Sequence, residues 1–348
     1  MRTYFGYSRN DVQFVLAGAK SKWRARFILA SRRVTFGGVA YVGGLLAFTA
    51  YVADTYLDLR PFRRRLYEVA DPPLLFAICS RARASDDEAG QGCVDWPAGR
   101  VLLQQALHDG LHDPGSRVLE IGAGVGTASI GLALAQRRRR GGGSSSVIAS
   151  DVCDHALGVL RANAEVNGLG DGCRQDGGGG LRIASWDAAG GAAAVARLPV
   201  PADSLTHVIG ADLVSSPVYS DGGAAGGLEA TLASLLEAKP DLRVTLLLVD
   251  RRGGAAVGAL AAAAGQQPSG AVGDPSIAGF ERECARLGLR VERRPLPQRV
   301  VDGVVASQGL GERLRWFLGL TWESLVLYDV KAGGREEGHA APFSSRGR

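Results

Sequence analysis

The sequence predicts an α/β protein built on a Rossmann-like, doubly wound sheet of seven strands. The sheet is expected to be mostly parallel with an antiparallel last strand, and a hydrophobic helical arm precedes it. Three observations lead there. From about residue 115, short apolar β-rich runs alternate with helical patterns, as a sheet with crossover helices requires. The first five strand candidates are separated by crossovers, which favours parallel pairing. Near-continuous apolar runs such as Val244 to Val249 suit strands covered on both faces. With 46% apolar residues in 348, the chain can bury a real core and is far too apolar to be disordered.

The strands are expected at 117–121 (RVLEI), 147–150, 181–185, 206–210, 244–250, 289–294 and 324–330. Amphipathic patterns place helices at 99–109, 127–137, 154–167, 227–238 and 277–287. Two stretches without periodicity, 137–146 (RRRRGGGSSS) and the Ala/Gly/Gln run 253–273, read as surface insertions, and 333–348 as a disordered tail. The domain division expected is therefore an arm at 1–75, the α/β body at 76–332 and the tail.

Charge divides the same way. Residues 1–65 carry 12 Lys/Arg against 3 Asp/Glu, net +9, whereas 66–348 carry 28 against 32, net −4. The basic balance thus belongs to the arm, and a nucleic-acid reading of the body loses its electrostatic support. Within the arm, 34–53 is an uncharged 20-residue stretch, long enough to cross a hydrocarbon core. Four Gly and two Thr dilute it, so a membrane anchor, an organelle-targeting peptide and a buried or interfacial helix all stay open. The expected location is cytoplasmic, with a membrane-anchored or organellar one as the alternatives. Five scattered Cys without a CxxC pair argue against a disulfide framework or structural zinc, and imply a reducing compartment.

The chemistry concentrates at strand ends. Strand 117–121 runs into Gly122, Gly124 and Gly126 and then a helix, the pattern of a turn that a ligand approaches closely. The spacing is GxGxG with Glu120 two residues ahead, rather than the GxGxxG of dinucleotide enzymes. The next strand ends in Asp151, a carboxylate suited to ribose hydroxyls. The third is followed by Trp186 and Asp187, an aromatic and an acid that could stack on and hydrogen-bond to an adenine edge, although core packing of Trp186 is equally natural.

In these residues the chain resembles the seven-β-strand S-adenosylmethionine-dependent methyltransferases, and within them the methyltransferase family 16 protein-lysine methyltransferases. VDWPAG at 94–99 is similar to the family's Trp-containing segment, VLEIGAGVGTASIGLA to its motif I, and ASDVCDHALGVLRANAEVNG to the acidic post-I motif with its Asn-rich helix. ASWDAAG is similar to its Leu-Asp-Trp-Gly element, and IGADLV at 209–214 to the fourth strand's end. The resemblance covers roughly 90–330. It implies S-adenosylmethionine as cofactor, bound by Trp96, Glu120, Gly122, Gly124, Gly126, Asp151, Trp186, Asp187 and Ala211, and a protein lysine as acceptor. The family's DxxY is broken here. Asp212 is followed at that spacing by Ser215, with Tyr219 four residues further on.

Asp212 is accordingly the residue expected to orient the acceptor amine, with Ser215 or Tyr219 as a secondary contact. A metal site is not expected, because His108 and His112 straddle a helix end at Asp109-Gly110 and no zincin pattern follows. Two alternatives remain: a methyltransferase for a small amine, another protein side chain or nucleic acid, and a silent relative serving as a binding scaffold.

Overall fold

The computed structural model describes residues 62–81, 92–139, 145–170, 180–214, 227–250, 275–307 and 324–333. In chain order these form β1 (Phe62–Ala70), β2 (Pro73–Arg81), α1 (Pro97–His108), β3 (Arg117–Ile121), α2 (Thr127–Arg138), β4 (Ser146–Asp151) and α3 (Asp154–Val166). There follow β5 (Gly180–Ser185), α4 (Ala192–Ala196), β6 (His207–Ala211), α5 (Gly227–Ala238), β7 (Arg243–Asp250), α6 (Pro275–Arg286), β8 (Leu289–Arg294), α7 (Gln298–Ser307) and β9 (Ser324–Ala332).

Seven strands form one sheet in the order β5-β4-β3-β6-β7-β9-β8. From β5 through β7 every pairing is parallel, and β9 enters antiparallel between β7 and β8. The expected antiparallel last strand is therefore present, inside the sheet rather than at its edge. Central strands alternate between two buried faces, as their apolar runs require. Val118, Leu247 and Val249 join α1, α2, α3 and α7 in one core. Leu119, Ile121, Leu246 and Leu248 join α5 and α6 in the other.

The β1–β2 hairpin was not expected from the sequence. Its register runs from Phe62 opposite Arg81 to Ala70 opposite Pro73. The expected boundary at 75 and 76 falls inside β2, so the hairpin belongs to the body. Tyr67, Val69, Leu74, Phe76 and Ile78 are buried in the first core, with Tyr67 and Phe76 stacked at 5.2 Å. The Arg run at 63–65 and Pro72-Pro73 mask this alternation, because they resemble a charged tail and a breaker.

Asn163 on α3 and Asn167 at its C-cap, one turn apart, fasten the hairpin. Asn167 accepts from the Ala77 N–H at 2.9 Å and donates to its carbonyl at 2.7 Å. Asn163 does the same with Cys79 at 2.9 and 3.0 Å, and also donates to the Val125 carbonyl. The two amides satisfy the free edge of β2 in place of a further strand. No helix among the described residues is long and apolar enough to cross a membrane, and 34–53 lies outside them.

Candidate functional site

Strand order reverses at β3: the chain steps to β4 and β5 on one side, then crosses to β6 and β7 on the other. In such sheets the crevice beyond the carboxyl ends of the strands at this switch, here β3 and β6, is the place where ligands bind. The residues facing it come from the turns after β3, β4 and β6.

After β3, Gly122, Gly124 and Gly126 have φ of 65°, 52° and 87°, a left-handed conformation that L side chains rarely adopt. Space excludes side chains as well. A Cβ on Gly122 would meet Leu213 Cδ2 at 2.5 Å, and one on Gly126 would meet Leu160 Cγ at 2.8 Å. A Cβ on Gly124 would approach the Gly92 carbonyl at 3.1 Å, so the 92–99 segment lies along the turn. Gly126 caps α2, whose first N–H groups and positive dipole end are directed at the crevice.

Asp151 ends β4 and braces this turn. Its two oxygens accept from the Gly124 and Cys153 N–H groups, each at 2.9 Å. Burial pushes its carboxyl above the usual range, and N–H groups of Cys153, Gly124 and Val152 offset part of that. A carboxylate offers about four acceptor positions, so capacity for ribose hydroxyls remains. Val152 beside it is 45% exposed, apolar surface next to the acid that sequence reasoning passed over.

Glu120 lies behind the turn rather than in the crevice. It is buried on β3 and accepts a hydrogen bond from the hydroxyl of Ser129 on α2. Burial pushes its carboxyl up to about 7, the Ser129 bonds oppose this, and the nearby Asp151 charge adds to it. It thereby ties β3 to α2.

Trp186 also faces inward. It is 5% exposed, packs in the second core and donates its indole N–H to the Ala194 carbonyl at 2.9 Å. The ring is turned inward because α4 follows closely and supplies the acceptor its N–H needs. Asp187 is exposed and caps the turn at 188–190, accepting from the Ala189 N–H at 2.8 Å.

Trp96, at the N-cap of α1, is 37% exposed, and it follows the buried Asp95, which the sequence reading did not single out. Asp95 accepts the Thr127 hydroxyl at 2.8 Å, which ties the Trp96 segment to α2.

Ala211, the last residue of β6, is half-buried, and Asp212 after it has φ 53°, a left-handed conformation uncommon outside Gly. Its N–H donates to the Leu247 carbonyl at 2.8 Å. This bend turns Leu213 under the glycine turn, where it is buried. Ser215 and Tyr219 lie outside the described residues. Among the described residues no cluster of three or more His, Cys, Asp or Glu could hold a metal. His108 faces Arg299 at 3.0 Å.

No protein-family model matches the chain, and no curated protein sequence matches it. Solved structures do. A SAM dependent methyltransferase from Aquifex aeolicus is 12% identical, over 71% of this chain and 98% of that one, with a TM-score of 0.40. The glycopeptide N-methyltransferase MtfA, complexed with sinefungin, is 15% identical over 72% and 91%, also with a TM-score of 0.40. TrmN from Thermus thermophilus is 17% identical over 70% of this chain and 52% of that one, with the same score.

Proposed function

We propose that the chain is a methyltransferase using S-adenosylmethionine and that its acceptor is a lysine side chain of another protein. One observation carries the reading: three left-handed glycines at the reversal of strand order, braced by a carboxylate ending the neighbouring strand. That arrangement suits an adenosine bearing a zwitterionic amino-acid tail. The backbone of 122–126 leaves room for close approach, Asp151 offers acceptors for ribose hydroxyls, and Val152 offers apolar surface for a purine.

When bound, S-adenosylmethionine supplies an electrophilic methyl on a sulfonium. The residues of the chain then need only hold donor and acceptor in near-attack geometry and exclude water. A lysine amine must first lose its proton. With an ordinary pKa near 10.4 this costs about 4–5 kcal/mol at pH 7, which a desolvated channel with an oriented hydrogen-bond acceptor reduces. Asp212, at the end of β6 beside the glycine turn, is the residue proposed to orient the amine.

Full-length protein incubated with methyl-labelled S-adenosylmethionine and an extract freed of small molecules tests this. Label on protein, stable to base and recovered as methyl-lysine, is the expected result. Label found only in added small amines or nucleic acid would replace the acceptor. No cofactor binding by the folded chain would leave the scaffold reading in its place.

A further inference from the structure

We propose that Asp95 is the positioning residue of the cofactor crevice, setting Trp96 against the first turn of α2, and that the β1–β2 hairpin thereby forms part of the site. The inference rests on the S-adenosylmethionine reading and extends it to residues that face no ligand.

The Asp95 side chain is 1% exposed and lies where β1, α1 and α2 meet. One oxygen accepts from Thr127, the first residue of α2, at 2.8 Å. The other accepts the Tyr67 hydroxyl from β1, and faces Arg100 of α1 at 3.3 Å and Arg65 of β1 at 3.5 Å. The Arg100 guanidinium also lies over the Tyr67 ring, 5.4 Å from its centre. The Arg100 side chain is only 5% exposed, so this is a buried ionic cluster.

Such clusters add little net stability over a well-packed apolar alternative, because desolvation offsets their attraction. What a buried cluster of bonded groups does specify is geometry. Here the geometry specified is that of the crevice wall. Thr127 directly follows the glycine turn, and Trp96, exposed at its rim, directly follows Asp95. A carboxylate at the first turn of α2 also suits the positive end of that helix. The Glu120–Ser129 bond already fastens α2 to β3, so Asp95 instead relates α2 to the Trp96 segment and, through Tyr67, to the hairpin.

The test uses the full chain with Asp95→Asn, Thr127→Val, Thr127→Ser and Tyr67→Phe, each also in a Trp96→Phe background. Calorimetry gives the affinity for S-adenosylmethionine and S-adenosylhomocysteine. Acrylamide quenching, taken as the difference between each variant and its Trp96→Phe partner, gives the exposure of Trp96 without ligand. Asp95→Asn and Thr127→Val are expected to weaken binding roughly tenfold and to change Trp96 quenching. Thr127→Ser, which restores the hydroxyl, should leave both as in the wild type, and Tyr67→Phe should move both in the same direction by less. Wild-type affinity and wild-type quenching in Asp95→Asn and Thr127→Val would overturn the proposal, as would affinity losses that follow only the unfolding temperature. Should the wild type bind no S-adenosylmethionine, that reading fails separately. The ligand-free quenching then decides alone: a change upholds the hold of Asp95 on Trp96, and no change removes it.

Discussion

Leu213 occupies the space that a side chain on Gly122 would need, its Cδ2 lying 2.5 Å from where that Cβ would be. The same side chain would stand 2.7 Å from a Cβ on Gly210. The turn after β6 is thus wedged beneath the turn after β3, and the left-handed bend at Asp212 is what directs Leu213 there. Gly122→Ala should cost about 1–3 kcal/mol, from overpacking together with an unfavourable φ. In a Leu213→Ala background the added cost should fall to about 1 kcal/mol, since only the backbone strain is left. Denaturant unfolding of the four proteins in the cycle measures this, and strict additivity would refute the wedge.

Asp151→Asn should abolish most cofactor binding while leaving the fold intact. An amide presents a single acceptor oxygen and sets its own N–H₂ against either the Gly124 or the Cys153 N–H. Affinity for S-adenosylhomocysteine is expected to drop at least roughly tenfold by calorimetry, the scale of losing a hydrogen bond to a charged group. Undiminished affinity would mean that the nucleoside is held elsewhere.

Asn163→Ala should loosen the hairpin specifically. It removes the partners of both Cys79 backbone groups and of the Val125 carbonyl, and costs roughly 2–4 kcal/mol in total. Hydrogen exchange at the Cys79 amide should quicken before exchange in β3 or β4 does. Uniform acceleration across the sheet would show instead that the hairpin and sheet unfold as one unit.

Stability should fall as pH rises through the range set by Glu120. Its carboxyl, raised to about 7 in the folded protein, binds its proton more tightly there than in the unfolded chain. The stabilisation is therefore complete below the ordinary carboxylate range and is lost as pH rises through about 7. Glu120→Gln keeps a partner for Ser129 without the charge. It should flatten this dependence and be the more stable protein at pH 8, by up to roughly 3 kcal/mol. Parallel pH profiles for the two proteins would place the titration on another group.

Much of this architecture was legible because strand and helix periodicity is local. All seven strands of the sheet lie within a residue or two of their expected positions, and the glycine turn sits where RVLEIGAGVG placed it. The hairpin was not legible. Its inward residues alternate behind an Arg run and two prolines, and its free edge is satisfied by Asn side chains from a helix some 84 to 90 residues away in sequence. No local pattern encodes such a partner.

Among the site residues, the sequence by itself determined which backbone positions could take a ligand closely, since glycine at 122, 124 and 126 reflects a requirement of the backbone at those positions. It also placed an acid at the end of β4. Only the tertiary structure decided what the polar and aromatic side chains do. Glu120 turns back to Ser129, Trp186 turns inward to Ala194, and Asp95 becomes the junction of β1, α1 and α2. The physical reason is that a turn's conformation is settled by its own residues, whereas a buried polar group goes to whichever partner the packing of distant segments brings within hydrogen-bonding reach.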